Sequence, residues 1–223
     1  MIDGKKISVI ITTYCRYGTL DAIIGGWLAQ PAEEVWVLDG GGKFKAKAEG
    51  GRLLVFNLPR DLGTKMDYAF ALLTDGDLVC LADDDLLPSP GFLEDLYAAW
   101  KQKGGIVGTL GHTFQGPVYR ANTTFFRGDL VPAATRVDFC GVVLLAAREV
   151  FGFDVRGCPR NCDDLWLAMK AHPELPKHVV ATKRFKNTMA AIDGTAMYRD
   201  PKLRGQRQDF YREYYIKNYA GKR

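Results

Sequence analysis

The chain has 223 residues, 47% of them apolar and 25% charged, with a formal net charge of +4. That suffices for a single α/β domain with a sizeable core, and the composition is that of an ordinary globular protein. The longest apolar stretch, Gly141 to Ala147, is too short to span a bilayer, and Met1 to Lys6 leads straight into a strand rather than a secretion signal. A soluble, cytoplasmic protein without an integral membrane segment is therefore expected. Five scattered cysteines set no disulfide framework, and Cys158 and Cys162 lack the second pair that a structural zinc needs.

Ile7 to Thr13 is a β-rich apolar strand, followed by Tyr14-Cys15-Arg16. Leu20 to Leu28 carries helical periodicity, with Leu20, Ile23, Ile24, Trp27 and Leu28 on one face, and Pro31 ends it. Glu34 to Asp39 is a second strand, turned at its end by Gly40-Gly41-Gly42, and Leu53 to Phe56 is a third. A helix through Leu73 precedes Asp77 to Ala82, an apolar run with the flanks of a buried parallel strand. That run delivers Asp83, Asp84 and Asp85. Leu86 to Pro90 breaks the chain, and Gly91-Phe92 opens an amphipathic helix.

Strand and helix alternate, which predicts a doubly wound, mostly parallel sheet in one domain spanning 1–223. Three strand ends, Thr12 to Arg16, Asp39 to Gly42 and Asp83 to Asp85, then point at one crevice, where open α/β sheets bind ligands. Three adjacent carboxylates repel one another unless a cation sits among them, and hard oxygen ligands suit Mn²⁺ or Mg²⁺ against phosphates. Tyr14 is placed to stack on a base, Asp39 to bond base or ribose, and Arg16 and Lys65 to reach phosphate.

The chain divides functionally into a nucleotide-binding half (1–103), an acceptor and catalytic half (104–182) and a basic aromatic end (183–223). In the second half, Ile106 to Thr109 and Asp138 to Ala146 read as strands with irregular polar chain between, where Arg120 to Arg127 are candidates for a substrate cleft. Asp163 and Asp164 open a helix, where acids are also favoured by capping and the dipole. The last 41 residues hold 11 Lys or Arg against 4 Asp or Glu, while the rest holds 19 against 22. Such an end grips phosphates or nucleic acid, or else is a solvated helix packed through its aromatics.

Together, Thr-Tyr-x-Arg after the first strand, an acid ending the second and Asp-Asp-Asp ending the fourth resemble a GT-A (Rossmann-like) glycosyltransferase. Asn161-Cys162-Asp163-Asp164-Leu165 is similar to the Asn-Cys-Glu-Asp-Ile segment of the exostosin-like family, glycosyltransferase family 64. Ile106-Val107-Gly108, Lys183 to Lys186 and Ala191-Ile192-Asp193-Gly194 resemble the same family in the same order. The large inverting family 2 shares the first half and an acidic pair, and is the near rival. Two departures from family 64 stand out: Asp163 replaces Glu, and the later Cys that pairs with the one beside the acidic motif is missing.

The resemblance implies a metal-dependent transferase of hexosyl or N-acetylhexosaminyl groups from a nucleotide-sugar donor, a UDP-sugar, with Mn²⁺ or Mg²⁺. Asp85 would be the direct metal ligand and Asp83 would serve metal and ribose. Thr13, Tyr14, Arg16, Asp39, Lys65, Asp83 and Asp84 would surround the donor. Asp164 would lie by the anomeric carbon beside Asp163, and Arg207 would contact the pyrophosphate. A family 64 enzyme retains configuration; in a family 2 enzyme Asp163 or Asp164 is a general base and configuration inverts. The acceptor is open among glycans, other hydroxyl-bearing molecules and hydroxylated bases in DNA. A nucleotidyltransferase lacks support, since Tyr14-Cys15-Arg16 is no Gly-rich phosphate loop. A non-catalytic nucleotide-sugar binding module is the remaining alternative.

Overall fold

The structure, a computed structural model, describes residues 1–46, 51–119, 121–188 and 200–220. Nine strands form one sheet: β1 (Ile7–Thr13), β2 (Glu34–Asp39), β3 (Leu53–Asn57), β4 (Leu78–Asp83), β6 (Ile106–Phe114), β7 (Thr123–Arg127), β8 (Thr135–Val137), β9 (Phe139–Ala147) and β10 (Lys177–Val179). The remaining strands, β5 (Leu86–Pro88) and β11 (Phe185–Asn187), pair antiparallel beside it. The helices are α1 (Leu20–Leu28), α2 (Met66–Ala71), α3 (Phe92–Lys103), α4 (Asp163–Leu165, continued by a π-turn segment Trp166–Ala171) and α5 (Pro201–Asn218).

The sheet order is β3-β2-β1-β4-β9-β6-β10-β8, with β7 on β6. Strands β1 to β4 pair parallel, as the alternating pattern predicts, with α1 between β1 and β2 and α2 between β3 and β4. The alternation does not hold throughout. Between β6 and β9 no described helix intervenes; β7 and β9 both pair antiparallel with β6, and β8 pairs antiparallel with β10. The stretch read as irregular thus contains β7 and β8, and β9 enters the sheet antiparallel between β4 and β6.

Alternation along the central strands explains why both faces are covered. In β1, Ile7, Val9 and Ile11 pack with α1 and α3, while Ile10 faces α2 and the segment after α4. β4 divides likewise, with Leu78 and Cys80 on one side and Val79 and Leu81 on the other. Trp27 of α1 is fully buried with its ring 5.6 Å from that of Phe92 of α3. Trp27→Ala should cost about 3–5 kcal/mol in urea unfolding, the range for emptying a large core site. A cost near zero would mean that α1 is not anchored there.

A third apolar cluster joins the two ends of the second half. Phe210 and Tyr211 of α5 pack with Trp166, Cys162, Phe114 and Phe139. The aromatic end is therefore a helix docked on the domain. Its N-terminus is capped by Asp200, whose carboxylate accepts from the Lys202 and Leu203 amides, with Pro201 at the first helical position. All five cysteines are free thiols, and Cys158 and Cys162 are buried in or beside this cluster. No described helix is long and apolar enough to cross a membrane. The Ala191 to Gly194 motif and Arg120 lie outside the described residues.

Candidate active site

Parallel pairing of β1 with β2 and with β4 puts Thr12 opposite both Leu38 and Asp83, so the predicted strand ends do meet at one edge. There the three aspartates separate. Asp84 turns inward, 6% exposed, and accepts from the Thr13 hydroxyl at 2.7 Å and from Arg16 Nη1 at 2.9 Å. Thr13, Arg16 and Asp84 therefore hold the loop together. The first and third acids face outward. Asp83 is exposed and lines a cleft, where desolvation, then the charges of Asp85, Asp84, Asp163 and Asp67, push its carboxyl well above the usual range. Desolvation, followed by the charge of Asp84, also raises Asp85, and Arg16 lies 3.7 Å from one of its oxygens. Its other oxygen is buried with no hydrogen-bond partner.

Two carboxylates short of a cation are the donor set that a Mn²⁺ or Mg²⁺ ion uses when phosphates and water complete its shell. Asp83 and Asp85 fit that role. Asp84, in this arrangement, is occupied elsewhere.

The expected base-binding group also differs from expectation in its geometry. Asp39 is fully buried and accepts from the Tyr17 hydroxyl and the backbone amides of Gly41, Lys43 and Phe44. Its carboxylate shapes the loop after β2 and presents no open edge to a base. Desolvation and the Asp39 carboxylate push the Tyr17 hydroxyl up to about 12, as befits a donor held on an anion. Tyr14 is 51% exposed at the loop after β1, where Cys15 has a φ of 65°, so its ring is available for stacking. Lys65 donates to the Cys158 carbonyl at 3.2 Å and thereby ties α2 to the loop before α4.

The cleft itself measures about 670 Å³ and is lined by Asp83, Asp163, Asp164 and Arg207 together. These four come from β4, the start of α4 and α5, so the fold gathers acids and an arginine that lie far apart in sequence. Asp163 accepts from the Thr64 hydroxyl at 2.6 Å. Asp164 is clamped by Arg207, with both nitrogen–oxygen distances 2.7 Å. The guanidinium also donates to the Asn161 carbonyl at 2.7 Å and the Tyr119 hydroxyl at 3.0 Å. Asn161 reaches that position in the left-handed region, φ 61°, which an Asn tolerates better than most residues.

The two acids differ in setting. Asp163 lies on the side of Asp83 and Asp67, whose carboxyls its charge raises. Asp164 faces β9, with Oδ2 only 3.4 Å from where a Cβ on Gly141 would sit, and touches the Tyr119 and Phe139 side through Arg207. Next to Gly141, Val142 has a φ of 68°, and the β6–β9 register shifts between Gly108 and Leu110. A β-branched residue in that region at a bulge is the kind of local distortion that clusters at functional sites.

Burial, then the charge of Asp164, pushes Asp163 up to about 6, opposed by the Thr64 bond and by Arg207. An unfolded chain releases this proton in the ordinary carboxylate range, near 4. The folded protein keeps it to about 6, so stability falls as pH rises through that window. Asp163→Asn should raise the thermal midpoint at pH 7 and leave it nearly unchanged at pH 3.5. An equal shift at both pH values would assign the effect to packing.

Sequence reading missed several cleft residues. Asp67, buried on α2 and bonded by the Thr12 hydroxyl, carries a carboxyl raised well above normal by desolvation. His112, Tyr119 and Phe139, with Phe125 from the segment expected to line a cleft, make an aromatic wall on the β6–β7–β9 side, with His112 stacked on Phe139 at 5.1 Å. Period-two alternation along β6, β7 and β9 was the available signal. Arg127, at the end of the segment suggested for the cleft, pairs instead with Asp129.

The sequence profile of glycosyl transferase family 2 matches residues 8–214. A search of curated protein sequences gives no match. Among solved structures, S. aureus TarS 1–349 in complex with UDP aligns with a TM-score of 0.63 at 15% identity, covering 96% of this chain and 66% of that one. TarS 1–349 on its own gives 0.58 at 14% identity, covering 96% and 72%. Its complex with UDP-GlcNAc gives 0.56 at 17% identity, covering 81% and 57%. At these identities the likeness shows the fold, the GT-A arrangement of a mixed, mostly parallel sheet. The family match falls on the rival of the exostosin-like family. One of that family's two main motifs sits at a helix start, where acids are common for reasons of capping.

Proposed function

The chain belongs to glycosyl transferase family 2, and we propose that it moves a hexosyl or N-acetylhexosaminyl group from a UDP-sugar to an acceptor hydroxyl with inversion. The observation that carries this reading is the single cleft holding Asp83, Asp163, Asp164 and Arg207. Uridine diphosphate as the donor's leaving group is supported by the similar TarS structures, which are complexes with UDP and UDP-GlcNAc.

The residues divide the work by position. Asp83 and Asp85 would hold Mn²⁺ or Mg²⁺, which supplies charge neutralisation for a departing diphosphate. Tyr14 offers a stacking face for the base, while Thr13, Arg16, Asp39 and Asp84 fix the loops it lies against. Asp163, on the donor side and bonded to Thr64, orients hydroxyls of the sugar. Asp164, on the aromatic side, is the general base. It takes the proton of the acceptor hydroxyl as that oxygen bonds to the anomeric carbon. The bond from that carbon to the diphosphate oxygen breaks, and its electron pair leaves on UDP. Arg207 supplies positive charge where negative charge grows.

The acceptor best suited to the wall of His112, Tyr119, Phe125 and Phe139 is a glycan. DNA is less favoured, because Phe210 and Tyr211 of the basic end are buried in packing. The stereochemical test is proton NMR of the first-formed sugar released from α-linked UDP-sugars with water as acceptor. Inversion gives the β-anomer. Initial α-anomer would return the protein to the retaining mechanism.

A further inference from the structure

Resting on that reading, we propose that Arg207 and Asp164 are an exchangeable pair: the donor's diphosphate takes the guanidinium, and only then is the Asp164 carboxylate free to accept a proton. As the site stands, both Asp164 oxygens are occupied. Both of its oxygens accept from Arg207 at 2.7 Å, and Oδ1 also accepts from the Leu165 amide at 2.7 Å. The pair is also well shielded, with side chains 13% and 21% exposed, so water does not loosen it as it loosens a surface bridge.

A diphosphate is the stronger partner for this guanidinium. It offers more charge and more acceptor oxygens to a planar fork suited to bidentate phosphate recognition. Arg207 and Asp83 line the same cleft, so a diphosphate held at the Asp83 edge shares that space with the arginine. The exchange needs little movement. The Asn161 carbonyl, the Tyr119 hydroxyl and the Tyr119 ring, 4.9 Å from Cζ, hold the guanidinium from sides that Asp164 does not occupy. Only the carboxylate has to let go.

Two consequences follow for the reaction. The base is withheld until a donor is in place, so donor binding precedes acceptor activation. Asp164 also competes with the donor, which costs affinity in the resting enzyme. A merely structural ion pair has the opposite property, since breaking it loosens the site and weakens ligand binding.

Calorimetric titration of UDP with Mn²⁺ separates the two. Asp164→Asn should bind UDP about tenfold more tightly than the unmodified protein, equivalent to about 1.4 kcal/mol. Arg207→Ala should bind it about tenfold more weakly. Adding Asp164→Asn to Arg207→Ala should then change nothing, because the competitor has no arginine left to contest. If Asp164→Asn fails to fold by near-ultraviolet circular dichroism, Asp164→Ser serves in its place. Unchanged or weaker UDP binding by the folded Asp164 variant overturns the exchange while leaving the transferase reading intact. If the unmodified protein binds no UDP, the reading beneath the exchange falls and the exchange falls with it.

Discussion

Asp164→Asn should lower sugar transfer by about 10²–10⁴-fold while the protein stays folded and still binds UDP, the loss expected when a general base is removed. The cause lies in where the two neighbouring acids point. Asp164 meets the β9 and Tyr119 side of the cleft, the side from which the proposed mechanism would bring an acceptor attacking opposite the leaving group. Asp163 faces Thr64 and sits within the field of Asp83 and Asp67. Asp163→Asn should therefore act mainly on donor handling, seen as a raised KM for the UDP-sugar with a smaller change in kcat. If the two variants exchanged these behaviours, Asp163 would be the base and Asp164 a partner of Arg207 alone.

The second large effect concerns the aspartate triplet, whose members should not behave alike. Asp83→Asn and Asp85→Asn should each weaken metal-dependent UDP binding by more than about tenfold with little change in unfolding midpoint, since Asp83 sits among like charges and one Asp85 oxygen is buried with no hydrogen-bond partner. Asp84→Asn should do the reverse. It loosens bonds from the Thr13 hydroxyl and Arg16 beneath the surface, at about 1–3 kcal/mol of stability. Unfolding midpoints and UDP titrations of the three variants with Mn²⁺ or chelator separate the roles. Equal loss of metal-dependent binding from all three would return Asp84 to the donor site.

Much of the nucleotide-side edge was legible in the sequence because strand periodicity and a carboxyl-end rule place residues without side-chain coordinates. Ile7 to Thr13, Glu34 to Asp39 and the run before Asp83 were read as strands, and their ends meet as expected. Which way each acid turns was not legible. Asp39 and Asp84 look like ligands in the sequence, yet local donors absorb them: the Gly41, Lys43 and Phe44 amides, Thr13 and Arg16. The second half was harder for a different reason. Short strands carry only a weak period-two signal, so β7, β8 and β10 were missed, and the cleft-facing positions of His112 and Phe139 were not picked out. Arg207 was legible only by resemblance, because nothing local in α5 tells a cleft arginine from the solvated ones beside it. Family choice followed the same pattern. The Asn161 to Leu165 motif is short and lies where helix capping favours acids, whereas the match to family 2 spans residues 8–214.

The most direct test of the account is calorimetric titration with UDP, UDP-hexoses and UDP-N-acetylhexosamines, each in Mn²⁺, Mg²⁺ and chelator. The account predicts binding of UDP and at least one UDP-sugar that requires a divalent cation and is lost in Asp85→Asn. Failure to bind any of these nucleotides with either cation, by protein shown to be folded, would contradict it.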